Sequence, residues 1–362
     1  MGYLAFDADT MLPTAYGSDF RGEHIVFGSG RDISEHSVAS FNLLSGSAQL
    51  LTTGEAPEEA EPENKATPLF YKVSGESGQT MWLFGTIHLG DERTAFLPDS
   101  IYKALDQSNA LALEVNPGEV QSYLNSRMDV VRILQDKMYY INGSTLADNI
   151  DPQLYEKAEK LMKATGSYAY RAEESTPTVW ADAIEAAYLA HVDQLSADFG
   201  LENRLVELAA EKGMEIRSIE DIGDQLLFFY KFPAELQELI LYEMVNYGRE
   251  KYSEELMELY ELWCAGDEEA LREYICSPSV IEFGEEALAQ ISEEEMAQIE
   301  ALLAEYDKAI GPDRNAHMIE TAIKYLESGE TVFYAVGLAH LLDETGLIEG
   351  LREAGYTVEL VS

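Results

Sequence analysis

Bases are scarce in this chain: 24 Lys and Arg stand against 67 Asp and Glu among 362 residues, a formal net charge of −43. Such a surface repels phosphate backbones and anionic headgroups, which sets aside nucleic acid and anionic membranes as partners. The acidity itself reads first as a solvated face that keeps the protein dissolved, and second as an attraction for cations and basic peptides. Only two cysteines occur, Cys264 and Cys276, at a spacing that suits neither a zinc knuckle nor a C-x-x-C redox pair. No run of about 18 apolar residues is present, so no transmembrane helix is expected. Residues 1–9 lack a basic segment and a long apolar core, and are not read as a signal peptide. Cytoplasm is therefore the default expectation, with export or membrane tethering the alternative if the native start lies further upstream. Histidine is rare as well, six in all, so a patterned pair of them carries information.

What is present describes a globular protein. Apolar residues make up 46% and charged residues 25%, and the length allows one large domain or two ordinary ones. Residues 1–52 show no clear period and form an uncertain N-terminal segment. Residues 53–67, rich in Pro, Glu and Ala and without an apolar face, read as an acidic, solvated linker. From 68 to 362 the pattern becomes regular. Residues 69–73 and 81–87 read as a strand hairpin around a turn at 75–78. A helix over 98–107 and a strand over 110–115 follow. Residues 150–310 are mostly helical, with amphipathic spacing at Leu154, Ala158, Leu161 and Met162 and a short period-two strand at 214–220. A helix opens at Pro312 with Met318, Ile319, Ala322, Ile323 and Leu326 on one face. A buried strand at 331–336, a helix over 344–354 and a strand at 356–361 close the chain.

A repeat runs through this pattern. Gly85-Thr86-Ile87-His88 follows a buried strand, then come a helix and a strand ending in Glu114. Gly337-Leu338-Ala339-His340 follows a buried strand, then come a helix and a strand containing Glu359. The His-to-Glu spacing is 26 residues in the first unit and 19 in the second. The fold expected is α/β: a duplicated strand–GxxH–helix–strand core sheet with a large helical block, about 150–310, inserted between the units. Parallel strands linked by helices place ligands beyond their carboxyl ends, where both histidines fall.

Each glycine permits a tight turn that would lift the imidazole out of the sheet edge. Two imidazoles and a carboxylate suit a divalent transition metal such as Mn, Co, Fe or Zn and leave positions open, as catalytic sites require. Glu114 is the candidate third ligand beside His88 and His340. Glu359 is equally well placed to face solvent and is left out. His317 reads as incidental, and His24, His36 and His191 have no partner pattern.

These motifs resemble the TraB/GumN family, which includes Tiki-like metal-dependent proteases. The opening signature is Gly85-Thr86-Ile87-His88-Leu89-Gly90 with Leu97-Pro98 and Leu113-Glu114. The closing one is Asp313-Arg314-Asn315 with Met318, Gly337-Leu338-Ala339-His340-Leu341 and Gly355-Tyr356-Thr357-Val358. Between them stand Ser218-Ile219-Glu220 and Gln225. The resemblance implies that His88, Glu114 and His340 serve a metal site and that Arg314 and Asn315 belong to its pocket. For Arg314, a clamp on a substrate carboxylate or oxyanion and a structural ion pair are both open. Asn315 orients substrate or caps its helix. Glu220 is a partner of a ligand histidine or a general base.

The function expected is metal-dependent hydrolysis of a peptide or exposed protein segment. The same cleft in a non-catalytic protein would sequester a peptide or small ligand, and a non-peptide ester would be a third kind of occupant.

Overall fold

The computed structural model describes residues 65–361 other than 191, 193 and 285–287, together with the backbone of five strands nearer the N-terminus. The chain divides into two compact units, Met1–Glu61 and Pro62–Ser362. In the first unit, β1 (Ala5–Phe6) pairs with β2 (Pro13–Ala15), and β3 (His24–Gly28), β4 (Val38–Asn42) and β5 (Ala48–Leu51) form an antiparallel meander. Residues 53–64 of the expected linker lie outside the described residues. Of its last residues Lys65 and Thr67 are exposed, while Ala66 is fully buried and Thr67 donates its N–H to the carbonyl of Cys264. The close approach falls on Gly266, where a Cβ would sit 2.1 Å from the Thr67 carbonyl oxygen.

The second unit is mixed α/β around a six-stranded sheet. Its strands are β6 (Phe70–Ser74), β7 (Thr80–Thr86), β8 (Ala110–Leu113), β9 (Glu215–Ser218), β10 (Val332–Gly337) and β11 (Thr357–Leu360), in the spatial order β11-β6-β7-β10-β8-β9. β6 and β7 form the antiparallel hairpin, turning at Gly78, whose φ of 89° suits glycine. β7, β10, β8 and β9 are mutually parallel. The near-continuous apolar runs of β8 and β10 follow from this position: all four residues of β8 and five of six in β10 are buried, as interior parallel strands require.

The two G-x-x-H strands, β7 and β10, are neighbours, with Gly337 level with Thr86. Their onward connections differ. The chain from β7 crosses to β8, on the far side of β10, whereas the chain from β10 travels to the opposite edge, where β11 pairs with β6. Glu359, the sequence counterpart of Glu114, is exposed there opposite Lys72.

Helices cover the sheet with the faces that their apolar spacing dictates. Met318, Ala322 and Leu326 of helix Pro312–Ser328 are fully buried and Ile319 and Ile323 half-buried against the same core. Leu201, Leu205, Leu208 and Ala209 of helix Leu201–Lys212 join them, as do Tyr260 and Trp263 of helix Arg249–Ala265. A second core unites helices Pro152–Thr165, Pro177–Leu189 and Ala234–Tyr247 around Trp180, Ile184 and Leu241. The expected helical block therefore has its own core, while β9, emerging from within it, joins the main sheet as an edge strand. Helices Pro117–Ser126 and Met128–Met138 bury only Val130. Among the described residues no helix is long and apolar enough to cross a membrane.

Candidate active site

Four parallel strands end side by side, and each delivers a polar residue at or just beyond its carboxyl end: His88 after β7, His340 after β10, Glu114 after β8 and Glu220 after β9. Leu113 is level with Ala335 on one side and with Ser218 on the other, so Glu114 leaves the sheet between the other two strand ends. The backbone N–H groups of Ile219 and Glu220 both bond to the Glu114 carbonyl, at 3.2 and 2.9 Å, which locks these two turns together.

The two G-x-x-H turns take different shapes. After β10 a helix, Leu338–Leu342, starts at once, and its first turn carries His340 inward, to 8% exposure. The turn does not lift this imidazole clear of the sheet edge as its glycine suggested. The reason is the company it keeps, since Leu338, Leu341 and Leu342 are all buried and pull the helix onto the core. His88, in a loop, does stand clear, with its side chain 81% exposed.

Both rings are anchored through the same nitrogen. His340 Nδ1 is 2.7 Å from Asn315 Oδ1. The Asn315 amide nitrogen is committed to Thr345 Oγ1, so its oxygen is the acceptor, Nδ1 carries the proton, and Nε2 presents its lone pair. That Nε2 faces Glu114 Oε1 at 3.9 Å. Burial, joined by the Arg314 charge, lowers the His340 pKa against the opposing pull of Glu114 and Glu220, which favours the neutral ring. His88 Nδ1 lies 3.1 Å from Glu202 Oε1. This hydrogen bond raises the pKa of the exposed His88 ring, and the charges of Glu202, Glu114 and Glu185 add to the rise. His88 thus feels the charge of Glu114 while its ring nitrogen pairs with Glu202.

Glu202 was not foreseen from the sequence. It occupies the first turn of helix Leu201–Lys212, a favourable place for an acid, but nothing local connects it to a histidine 114 residues away. The tertiary link is the 196–201 segment. Ser196 and Gly90 exchange two backbone hydrogen bonds, and Leu201 N–H donates to the Ile87 carbonyl. Gly200 lies against the His88 backbone so closely that a Cβ would meet the His88 oxygen at 2.4 Å. The other side of the loop is braced by helix Arg249–Ala265. Trp263, fully buried, donates Nε1–H to the Gly85 carbonyl at 3.0 Å, and the Tyr260 hydroxyl donates to Asp91 Oδ1 at 2.7 Å.

Arg314 sits at the centre of the carboxylates. Its Nε and Nη2 form a fork on Glu220, at 2.9 and 2.6 Å, and Nη2 also reaches Glu114 Oε2 at 2.7 Å. Gln225 Nε2 donates to both acids, at 3.2 Å to Glu114 and 3.0 Å to Glu220. Glu114 Oε1 accepts the Gly337 N–H at 2.7 Å. Burial pushes the Glu114 pKa up, and the Arg314 charge and hydrogen bond and the Gly337 N–H pull it down. Burial opposes the Arg314 charge, and the Glu220 and Glu114 carboxylates more than restore it. The Phe228 ring lies 5.6 Å from the guanidinium. His317, which the sequence left as incidental, bonds through Nε2 to the Ile219 carbonyl at 3.2 Å and so ties helix Pro312–Ser328 to the turn bearing Glu220.

Of the six residues singled out in the sequence, Glu114, Glu220 and Arg314 form one hydrogen-bonded cluster, His340 and Asn315 form a hydrogen-bonded pair whose Nε2 lies 3.9 Å from Glu114, and His88 follows the neighbouring strand. The sequence profile of the TraB/PrgY/gumN family matches residues 69–360. The chain belongs to the TraB/PrgY/gumN family. The match spans both G-x-x-H turns and every residue of the cluster, and stops short of the N-terminal unit. No curated protein and no solved structure gives a significant match.

The donor chemistry fits a divalent transition metal. Histidine ligands characteristically tether one ring nitrogen to an oxygen acceptor and offer the other, and both G-x-x-H rings are tethered at Nδ1. Among the described residues no three His, Cys, Asp or Glu side chains are drawn together closely enough to enclose an ion. His340 Nε2 and Glu114 Oε1 are the pair of candidate donors that already face each other.

Proposed function

We propose that this protein is a metal-dependent hydrolase that cuts peptides or exposed protein segments, with His88, His340 and Glu114 holding a divalent Mn, Co, Fe or Zn ion. The observation that carries the reading is the matched pair of histidines, each held at Nδ1 and each delivered by one of two adjacent parallel strands beside a strand-end glutamate. When bound, such a metal supplies Lewis-acid polarisation and a nucleophile at neutral pH. Asn315 fixes the His340 tautomer and ring plane. Glu202 does the same for the exposed ring of His88. Glu220, gripped by Arg314, is the carboxylate available for proton transfer, and Arg314 brings the positive charge near which a developing oxyanion would be stabilised. A common origin of the two strand–GxxH–helix–strand units belongs to the same reading, since it explains why both strand ends carry the same ligand type while their onward connections have diverged.

One observation favours a second reading, a binder that sequesters a peptide or small ligand without cutting it. Three donors, from Gly337, Arg314 and Gln225, already engage Glu114. The deciding measurement is metal content by mass spectrometry on protein purified without chelating resin, for the wild type and the His88→Ala, His340→Ala double variant. Near-stoichiometric metal in the wild type and its loss in the variant supports the hydrolase, and a peptide-library screen then seeks the cleaved bond. Absence of metal in both, even after the four ions are added, leaves the sequestering reading.

A further inference from the structure

Arg314 makes a lopsided contact with its two acids. It grips Glu220 with two nitrogens, Nε on Oε1 and Nη2 on Oε2, in the fork geometry that pairs guanidinium and carboxylate most strongly. Glu114 receives only a share of Nη2, and through Oε2 alone. The oxygen that faces His340 Nε2 is the other one, Oε1. The three charged side chains are 11–21% exposed, so water screens them weakly. Two carboxylates and one guanidinium meet here, and Arg314 is ion-paired with both acids through the same Nη2.

We propose that Arg314 is an internal counter-cation that sets the metal affinity of the site by competing for Glu114. The inference rests on the metal-site reading above. In the metal-free protein the guanidinium neutralises Glu114 through the shared Nη2 contact. Metal uptake at Oε1 places a divalent charge beside a fixed positive one, which the fork on Glu220 prevents from leaving. Like charges at such short range in a poorly screened site oppose each other. Arg314 therefore stabilises the empty site, weakens metal binding, and keeps the carboxylate oriented until an ion arrives. A purely structural ion pair makes the opposite forecast: its removal disorders Glu114 and weakens metal binding.

The test is metal affinity, read by isothermal titration calorimetry with Zn²⁺ or Mn²⁺ alone and by the shift in melting temperature on adding the same ion. Three proteins are compared: the wild type, Arg314→Gln and Arg314→Lys. Competition predicts that Arg314→Gln melts lower without metal, binds the ion at least tenfold more tightly, and gains more in melting temperature on binding. Arg314→Lys, which keeps the charge and loses the fork, is expected to bind within a few-fold of wild type. If the wild type takes up the ion and Arg314→Gln binds it equally or more weakly, the competition is refuted while the metal site stands. If Arg314→Gln does not fold, Arg314→Lys decides: loss of binding in that variant overturns the proposal, and retained binding upholds the dependence on charge. Failure of the wild type to bind either ion overturns the metal site and this inference together.

Discussion

Glu114→Gln tests how much the carboxylate cluster contributes to the folded state. The substitution keeps the shape and removes the charge. Glu114 accepts from Gly337 N–H on one oxygen and from Arg314 and Gln225 on the other. A glutamine amide can satisfy only one of these sides. If its oxygen turns to Gly337, its NH₂ faces two donors; if it flips, its NH₂ faces the Gly337 N–H. Arg314 keeps its fork on Glu220, so the buried guanidinium is not orphaned, and the loss falls below the full penalty for breaking a buried pair. Hydrogen bonds to charged groups are worth about 1.5–3 kcal/mol each, and a broken buried pair costs roughly 3–5 kcal/mol. An expected destabilisation of about 2–4 kcal/mol follows from these bounds. At about 2–4 °C per kcal/mol for a large domain, the melting temperature should fall by roughly 4–16 °C. Urea denaturation and scanning calorimetry of metal-free protein measure it directly. The control is Glu202→Gln, whose partner His88 is exposed and whose loss should cost under about 1 kcal/mol. A Glu114→Gln protein as stable as the control would refute the cluster as an energetic unit.

Three further outcomes are expected. Trp263→Phe leaves the Gly85 carbonyl without its buried partner and opens a small void, for a loss of about 2–3 kcal/mol in urea melts, with reduced metal uptake because the His88 loop loosens. Gly200→Ala drives a methyl group against the His88 carbonyl and should shift that loop, seen as a changed His88 ring resonance by NMR and a stability loss of about 1–3 kcal/mol. Asp91 caps the short helix Glu92–Ala95; burial would raise its pKa, but hydrogen bonds from Arg93 and Tyr260 hold it below the ordinary value. A depressed carboxylate contributes stability that is fully present above its unfolded pKa, near 3.9, and is lost as pH falls through the folded value. Wild-type stability should therefore fall more steeply than that of Asp91→Asn as acid is added below about pH 4, and parallel pH profiles would contradict this.

Much of the fold could be read directly because its signals are local. Five consecutive apolar residues make β10 wherever they lie, and the 3.6-residue spacing of Met318, Ala322 and Leu326 marks one helical face without reference to what covers it. The same holds for the strand ends: Gly85, Gly337 and Glu114 fall at or next to boundaries that apolar runs define. Helix Pro117–Ser126 escaped because a helix with no buried residue leaves little periodic trace, whereas the Val130, Leu134 and Met138 spacing of helix Met128–Met138 was legible. Glu202 escaped because its partner, His88, lies 114 residues away beyond the end of β7. Ala66 and Thr67 were assigned to a linker on composition, which cannot register one backbone hydrogen bond and one close approach at Gly266.

By itself the sequence determined the α/β class, the order of strands and helices along the chain, and the short list of residues able to carry chemistry, because each depends on neighbours within a few positions. Tertiary structure decided which strands lie side by side, and with that everything about the site. Setting β10 between β7 and β8 places His340 between His88 and Glu114, although Glu114 and His340 are 226 residues apart in the chain. The helical start after β10 buries one histidine and the loop after β7 exposes the other. Docking of helix Pro312–Ser328 puts Arg314 between two acids 106 residues apart. Which acid an arginine meets is a property of packing, and in a chain with 67 acids no local rule could have chosen these two.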